Sequence, residues 1–207
     1  MAMLVLLIRH GETDANLIGL IQGQVDNPLN ETGWRQAMAL HTRLGGVPIQ
    51  AICTSDLARA VDTARAIARG RSIRIAQTPL LRERDYGLWE GIADSEAARL
   101  HPEAYARWRD DWEHFAPPGG ESSARLRERV ADFLDSLKAL RHDGPVAVVT
   151  HGGTGKLIIC AMLGIPGHGR SFSLSNASLS VLEVGDAHGA RAKLQVLNDT
   201  CHLRAIS

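Results

Sequence analysis

The chain has 207 residues, 44% hydrophobic and 22% charged, with Lys+Arg and Asp+Glu balanced at 23 each. That length buries a sizeable core without disulfide or metal staples. The charge balance excludes a global basic field that would recruit nucleic acid or an anionic membrane, so any anion recognition is local.

In chain order, the apolar residues 3–8 lack a basic leader and a cleavage site, and Arg9-His10 cuts the run short. This predicts a buried strand, not a signal peptide or a membrane span. Residues 32–44 follow as a helix and 49–53 as a second strand. The next helix covers 56–68, with Ser55 capping its first turn and Leu57, Ala60, Val61, Ala64 and Ile67 on one face. Residues 73–76 form a third strand. A third helix begins near Pro102, which suits a first turn, and carries Tyr105, Trp108, Trp112 and Phe115 on one stripe. Leu126, Val130, Phe133, Leu134 and Leu137 mark a fourth helix. Residues 146–149 are a buried strand, and 153–163 the last helix, stopped by Gly164 and Pro166. The strands at 179–184 and 194–197 lack a crossover helix between them and predict an antiparallel hairpin around Gly185 to Gly189. Strands alternating with helices predict an α/β layer fold with a mostly parallel sheet and an antiparallel edge. No repeat or linker interrupts residues 1–207, which read as one domain. Cys53, Cys160 and Cys201 are widely spaced, with no CxxC pair, which argues for a reducing, cytoplasmic compartment.

Two strand ends carry the chemistry. Arg9-His10-Gly11-Glu12-Thr13 closes the first strand and Thr150-His151-Gly152-Gly153 closes the fourth. In an open α/β sheet that edge binds ligands, so the pair points to one shared site. Each histidine taken singly is more readily a capped or core imidazole. The glycines allow close approach to the backbone, and an arginine offers a planar fork of donors for phosphate or carboxylate. Arg59 falls on the first turn of a helix, where the dipole favours anions. Glu83 lies in the charged loop Arg82-Glu83-Arg84-Asp85-Tyr86-Gly87. Asn16, Gln22 and Gly23 leave the first strand, and Ser122 caps the fourth helix after a flexible Pro-Gly turn.

Two histidines, two arginines and a carboxylate without a metal cluster fit phosphoryl transfer to nitrogen. A neutral imidazole attacks phosphorus while cationic and N–H donors hold the equatorial oxygens. Neighbouring arginines depress the pKa of His10, and its other ring nitrogen donates to a backbone carbonyl. Glu83 is the candidate general acid and base. Its alternative is a surface carboxylate paired with the adjacent arginines. No HxH, HExxH or His/Cys pair at ligand spacing lies near either motif, so neither metal nor other cofactor is expected. Residues 152–156, GGTGK, lack the Walker spacing and make Lys156 a solvated helix residue. The aromatic stripe has no basic face and reads as core or lid packing.

Six motifs in order resemble the histidine phosphatase superfamily, which contains the phosphoglycerate mutases. They are RHGET at 9–13, DNPLNETG at 26–33, SDLARA at 55–60, RERDYGLWEG at 82–91, PPGGES at 117–122 and THGG at 150–153. The resemblance spans nearly the whole chain and implies a three-layer α/β/α sandwich with no required metal. It makes His10 the phosphorylated residue, a choice that the residues alone do not make over His151. It makes Glu83 the proton donor and acceptor. Arg9, Arg59 and His151 become the phosphate pocket, with Asn16, Gln22, Gly23, Tyr86 and Gly152 as contacts. The short segment before Pro117 resembles the phosphatase branch rather than the longer cofactor-dependent mutases. An open site lets water reach a phosphohistidine. Residues 92–122 then form a lid and specificity segment. The tail at 198–203 resembles members acting on small phosphate monoesters, with His202 either returning over the site or serving an ordinary C-terminal packing role. The partner expected is a small phosphorylated metabolite, not nucleic acid or membrane, and a homodimer is left open. The alternatives are a phosphoglycerate mutase using the same phosphohistidine and a non-catalytic module that binds phospho-ligands.

Overall fold

A computed structural model describes residues 3–139, 144–166, 171–185, 192–204 and 206. The strands are β1 (Met3–Arg9), β2 (Ala51–Ser55), β3 (Arg74–Thr78), β4 (Val146–Thr150), β5 (Leu179–Val184) and β6 (Lys193–Asp199). They form one sheet in the order β3-β2-β4-β1-β5-β6. The first four run parallel, β5 runs antiparallel to β1, and β6 antiparallel to β5. The expected parallel sheet with an antiparallel edge is therefore the one observed. The turn expected around Gly185 to Gly189 lies, from residue 186 onward, outside the described residues.

The helices are α1 (Asp14–Leu17), α2 (Glu31–Arg43), α3 (Ala58–Ala68), α4 (Asp94–Leu100), α5 (Pro102–Asp110), α6 (Ser123–Ala139) and α7 (Gly152–Leu163). Successive residues of a strand point to opposite faces. In β1, Val5 and Leu7 join one buried cluster with Leu126, Val130 and Phe133 of α6 and Leu157 and Ile158 of α7. Leu6 and Ile8 join the other with Leu40 of α2 and Ala60, Ala64 and Ile67 of α3. Both faces of the central strands are covered, which explains their unbroken apolar runs. The result is three layers, α/β/α. Each fully buried Leu or Ile contributes roughly 1.5–3 kcal/mol. Val148 is wholly enclosed, so Val148→Asp would strand a carboxylate among apolar side chains and break the central layer.

Two local expectations need correction. Helix α3 starts at Ala58 rather than Asp56, and its first turn has no side-chain cap from Leu57. The Ser55 hydroxyl reaches only the Leu57 N–H, at 3.3 Å. The cap comes instead from Asp26, whose Oδ1 accepts from the Ala58 N–H at 2.6 Å. Helix α5 ends at Asp110, so Trp112 and Phe115 lie beyond it and do not share its stripe. Just before α5 lies α4, a helix unmarked in the sequence, whose one buried residue is Ala97. Ser122 does cap α6, accepting from the Arg125 N–H at 3.2 Å, and Gly164 ends α7 in the left-handed region at φ 64°.

Candidate active site

The register of β1 on β4 pairs Arg9 with Thr150. His10 and His151 therefore leave the sheet side by side, and the His10 N–H extends the ladder to the Thr150 carbonyl at 2.9 Å. Their ring centroids stand 5.1 Å apart, tilted by 60°. Both are buried, at 3% and 1% exposure.

Their hydrogen bonds assign them opposite tautomers. His10 Nδ1 lies 2.6 Å from the Gly11 carbonyl oxygen. An oxygen acceptor requires the proton on Nδ1, leaving a lone pair on Nε2. His151 Nδ1 lies 3.2 Å from Arg59 Nε, a group that can only donate. His151 therefore carries its proton on Nε2. That Nε2 is buried with no protein partner among the described residues, and so is Arg9 Nε. Burial, then the charges of Arg59 and Arg9, hold the His10 pKa well below the usual imidazole value, against the opposing bond to Gly11. The sequence assigns that shift to the arginines; burial in fact leads. His151 is lowered too, by burial first and then by Arg59 and His10.

Arg59 is 1% exposed. Its guanidinium donates 2.7 Å bonds to the carbonyls of Val25 and Gly23 as well as the bond to His151. Arg9 donates to the Leu174 carbonyl at 2.6 Å. Among the described residues, neither forms an ion pair with a carboxylate. Burial lowers Arg59 to about 10, opposed by Glu83, Asp26 and Glu90. It lowers Arg9 as well. Arg59 stays cationic at neutral pH. Two buried cations and an imidazole N–H that, among the described residues, bind no carboxylate directly make a pocket suited to an anion.

Glu83 is held by the start of α7. Its carboxylate accepts from the N–H groups of Gly153 at 2.8 Å and Thr154 at 3.1 Å, where the helix dipole favours negative charge. A Cβ at position 153 would lie 2.6 Å from Glu83 Oε1, so this glycine is what lets the carboxylate reach the helix. The flanking arginines do not pair with Glu83. Arg82 grips Asp56 with two 2.7 Å bonds, and Arg84 turns to the carbonyls of Glu121 and Phe115. That removes the alternative of a carboxylate paired with its neighbours.

The sequence does not reveal Arg129 on α6. Its guanidinium donates to the carbonyls of Leu80 and Arg82 at 2.9 Å and of Glu83 at 3.2 Å. It also pairs with Glu121 at 2.6 Å. One cation thus holds the loop that presents Glu83.

These groups line a cavity of about 230 Å³. Arg9, His10, Arg59, Glu83 and His151 all reach it, as do Asn16, Gln22, Gly23, Tyr86 and Gly152. Asn16 Oδ1 accepts from Thr13 and Asn176 and Gln22 Oε1 from Thr13, so their amide N–H groups remain as donors. Burial pushes the Tyr86 phenol up to about 12, so it stays protonated. Gly23, at φ 49°, could take no Cβ without meeting Glu90 at 1.9 Å. Leu20, Ile21, Asp94 and Trp108 complete the lining. His202 does not line this cavity, so its return over the site is corrected and its packing role is the one observed. Its Nε2 bonds the Ala177 carbonyl at 3.0 Å, while the Ala177 N–H bonds the His10 carbonyl. The tail thus braces His10 from behind.

Among the described residues, no helix is long and apolar enough to cross a membrane. The family model for the histidine phosphatase superfamily (branch 1) matches residues 5–200. The adenosylcobalamin/alpha-ribazole phosphatase of Escherichia coli K12 is 34% identical, covering 93% of this chain and 94% of that one. A metal-independent phosphoserine phosphatase of Arabidopsis thaliana is 40% identical over 88% of this chain and 76% of its own. The crystal structure of a putative alpha-ribazole-5'-P phosphatase from Escherichia coli superposes with a TM-score of 0.90 at 34% identity, covering 96% and 97% of the two chains. With motifs, fold and relatives in agreement, the chain belongs to branch 1 of the histidine phosphatase superfamily and is a phosphomonoester hydrolase.

Proposed function

We propose that the chain works as a single domain that hydrolyses a small phosphate monoester, without metal, through a phosphohistidine on His10. The opposite tautomers carry this reading: one imidazole offers a lone pair to the cavity and the other a proton. His10 Nε2 attacks phosphorus and forms the N–P bond as the ester O–P bond breaks. Arg9, Arg59 and His151 Nε2–H hold the equatorial oxygens, with donors fixed before charge moves onto them. Glu83, which takes up a proton as the phosphate dianion enters beside it, gives that proton to the leaving oxygen. Water then attacks phosphorus, Glu83 takes its proton, and the N–P bond breaks to release phosphate and restore His10.

A cavity of about 230 Å³ is below the ~300–1,000 Å³ typical of sites for drug-sized ligands. That suits a small metabolite rather than a phosphoprotein. Residues 92–122 supply the lid and the specificity, through Asp94 and Trp108. The described cysteines form no disulfide, which suits a cytoplasmic setting. Turnover of p-nitrophenyl phosphate by wild type and by His10→Ala tests the reading. Loss of about 10³-fold or more in the variant is expected, and equal slow release by both would leave only a module that binds phosphate.

A further inference from the structure

The cavity is electrically lopsided. Its inner end holds Arg9, Arg59 and the two imidazoles, which the phosphate occupies in the reading above. The outer wall carries Asp94 and Trp108. Backbone pairing fixes that wall: Ile21 donates to the Ile92 carbonyl at 2.9 Å, Gly91 to the Ile21 carbonyl at 2.8 Å, and Leu20 bridges Ala93. Asp94 follows directly, at the start of α4. Its Oδ2 accepts from the Tyr105 hydroxyl at 2.5 Å, so the carboxylate is anchored although exposed. Tyr105 in turn packs on Trp108 with ring centroids 5.6 Å apart.

Among the described residues, no Lys or Arg lines the cavity beside Asp94; the charge of Arg109 reaches the Tyr105 hydroxyl that binds Asp94, but Arg109 is not part of the lining. Arg9 and Arg59 are the only Lys or Arg side chains lining the cavity among the described residues. Arg84 is near, with its guanidinium 5.8 Å from the Trp108 ring centroid. It is 3% exposed and bound to the carbonyls of Glu121 and Phe115. A second anionic group on the substrate would meet Asp94 with no partner. An ammonium would meet a fixed carboxylate, which is attractive to a cation, beside the Trp108 side chain.

We propose that Asp94 selects the organic group by charge, favouring phosphate monoesters whose leaving alcohol carries an ammonium and rejecting those carrying a carboxylate or second phosphate. This rests on the hydrolase reading above. Asp94 is then a specificity-determining residue, steadied by Tyr105, and phosphoglycerates and bisphosphates are poor substrates.

The test uses three two-carbon esters of similar size: phosphoethanolamine, 2-hydroxyethyl phosphate and phosphoglycolate. Their kcat/KM values are measured for wild type and Asp94→Asn, with p-nitrophenyl phosphate as the check on hydrolysis itself. Comparing the two enzymes cancels the intrinsic reactivity of each ester. The ratio of phosphoethanolamine to phosphoglycolate should fall about tenfold in Asp94→Asn, as expected for one partly solvated charge at short range. It should fall less in Tyr105→Phe and further in Asp94→Lys, with the neutral ester between the extremes. A ratio unchanged in Asp94→Asn, while p-nitrophenyl phosphate is still hydrolysed, overturns the charge selection and leaves the hydrolase reading standing. Failure of wild type to hydrolyse p-nitrophenyl phosphate overturns both.

Discussion

His10 and His151 face one cavity as opposite tautomers, the first set by the Gly11 carbonyl at 2.6 Å and the second by Arg59 Nε at 3.2 Å. Two adjacent imidazoles of the same residue type are thereby given different work. The backbone makes one a lone-pair donor to phosphorus, and a guanidinium makes the other a proton donor to oxygen. Their order in the sequence does not set this difference; their neighbours do.

Because burial holds both imidazoles neutral, kcat/KM should persist as pH falls through about 6.5, the ordinary imidazole value, and decline only below it. The unfolded chain takes up protons on these histidines near that value, whereas the fold does not. Stability is therefore greatest above about pH 6.5 and falls with acidity, by up to about 1.4 kcal/mol per pH unit for each histidine. Urea unfolding at about pH 7 and about pH 5.5 checks this, with a shallower loss expected for His10→Gln. Stability that rises between those two values would contradict the assignment.

Glu83→Gln should slow turnover by about 10²- to 10⁴-fold on alkyl phosphates and much less on p-nitrophenyl phosphate, since poor leaving groups need the proton most. Equal losses on both esters would mean that Glu83 donates no proton to the leaving group.

Arg129 does not itself line the cavity; its hydrogen bonds reach the site through the loop that carries Glu83. Arg129→Met, which keeps the chain length but removes the donors to Leu80, Arg82 and Glu83, should lower kcat about tenfold or more with little change in KM. The loss should again be larger for alkyl esters, and Arg129→Lys should restore part of it. A variant that loses stability but keeps the wild-type ratio of alkyl to aryl rates would reduce Arg129 to a structural role.

Treatment with EDTA should leave kcat/KM unchanged, because Arg9, Arg59 and His151 supply the positive charge and donors that a Lewis acid would otherwise provide. Activity abolished by the chelator and restored by a divalent ion would count against the mechanism.

The strand-end histidines are legible in the sequence because each closes an uninterrupted apolar run, and a run buried on both faces has few alternatives to a central strand. What escapes is non-local. Asp26 caps α3 across 32 residues, so Ser55, the nearest hydroxyl, is the natural misreading. Arg129 looks like one more charge on an amphipathic helix, and the carbonyls it binds lie at 79–83. Arg82 and Arg84 flank Glu83 in sequence but face away from it in space. His202 sits in a tail motif, yet the short helical turn at Cys201–Leu203 sends its ring to Ala177 instead of the cavity. The end of α5 at Asp110 divides an aromatic stripe that reads as continuous.

The central claim is that phosphorus passes through His10. Quenching the enzyme in alkaline denaturant during turnover of a phosphate monoester, followed by peptide mass mapping, locates any phosphoryl group directly. A single phosphoryl adduct is expected on the peptide containing His10, stable in alkali and lost in acid, and absent from His10→Ala. An adduct on His151, or continued turnover by His10→Ala with no adduct at all, would contradict it.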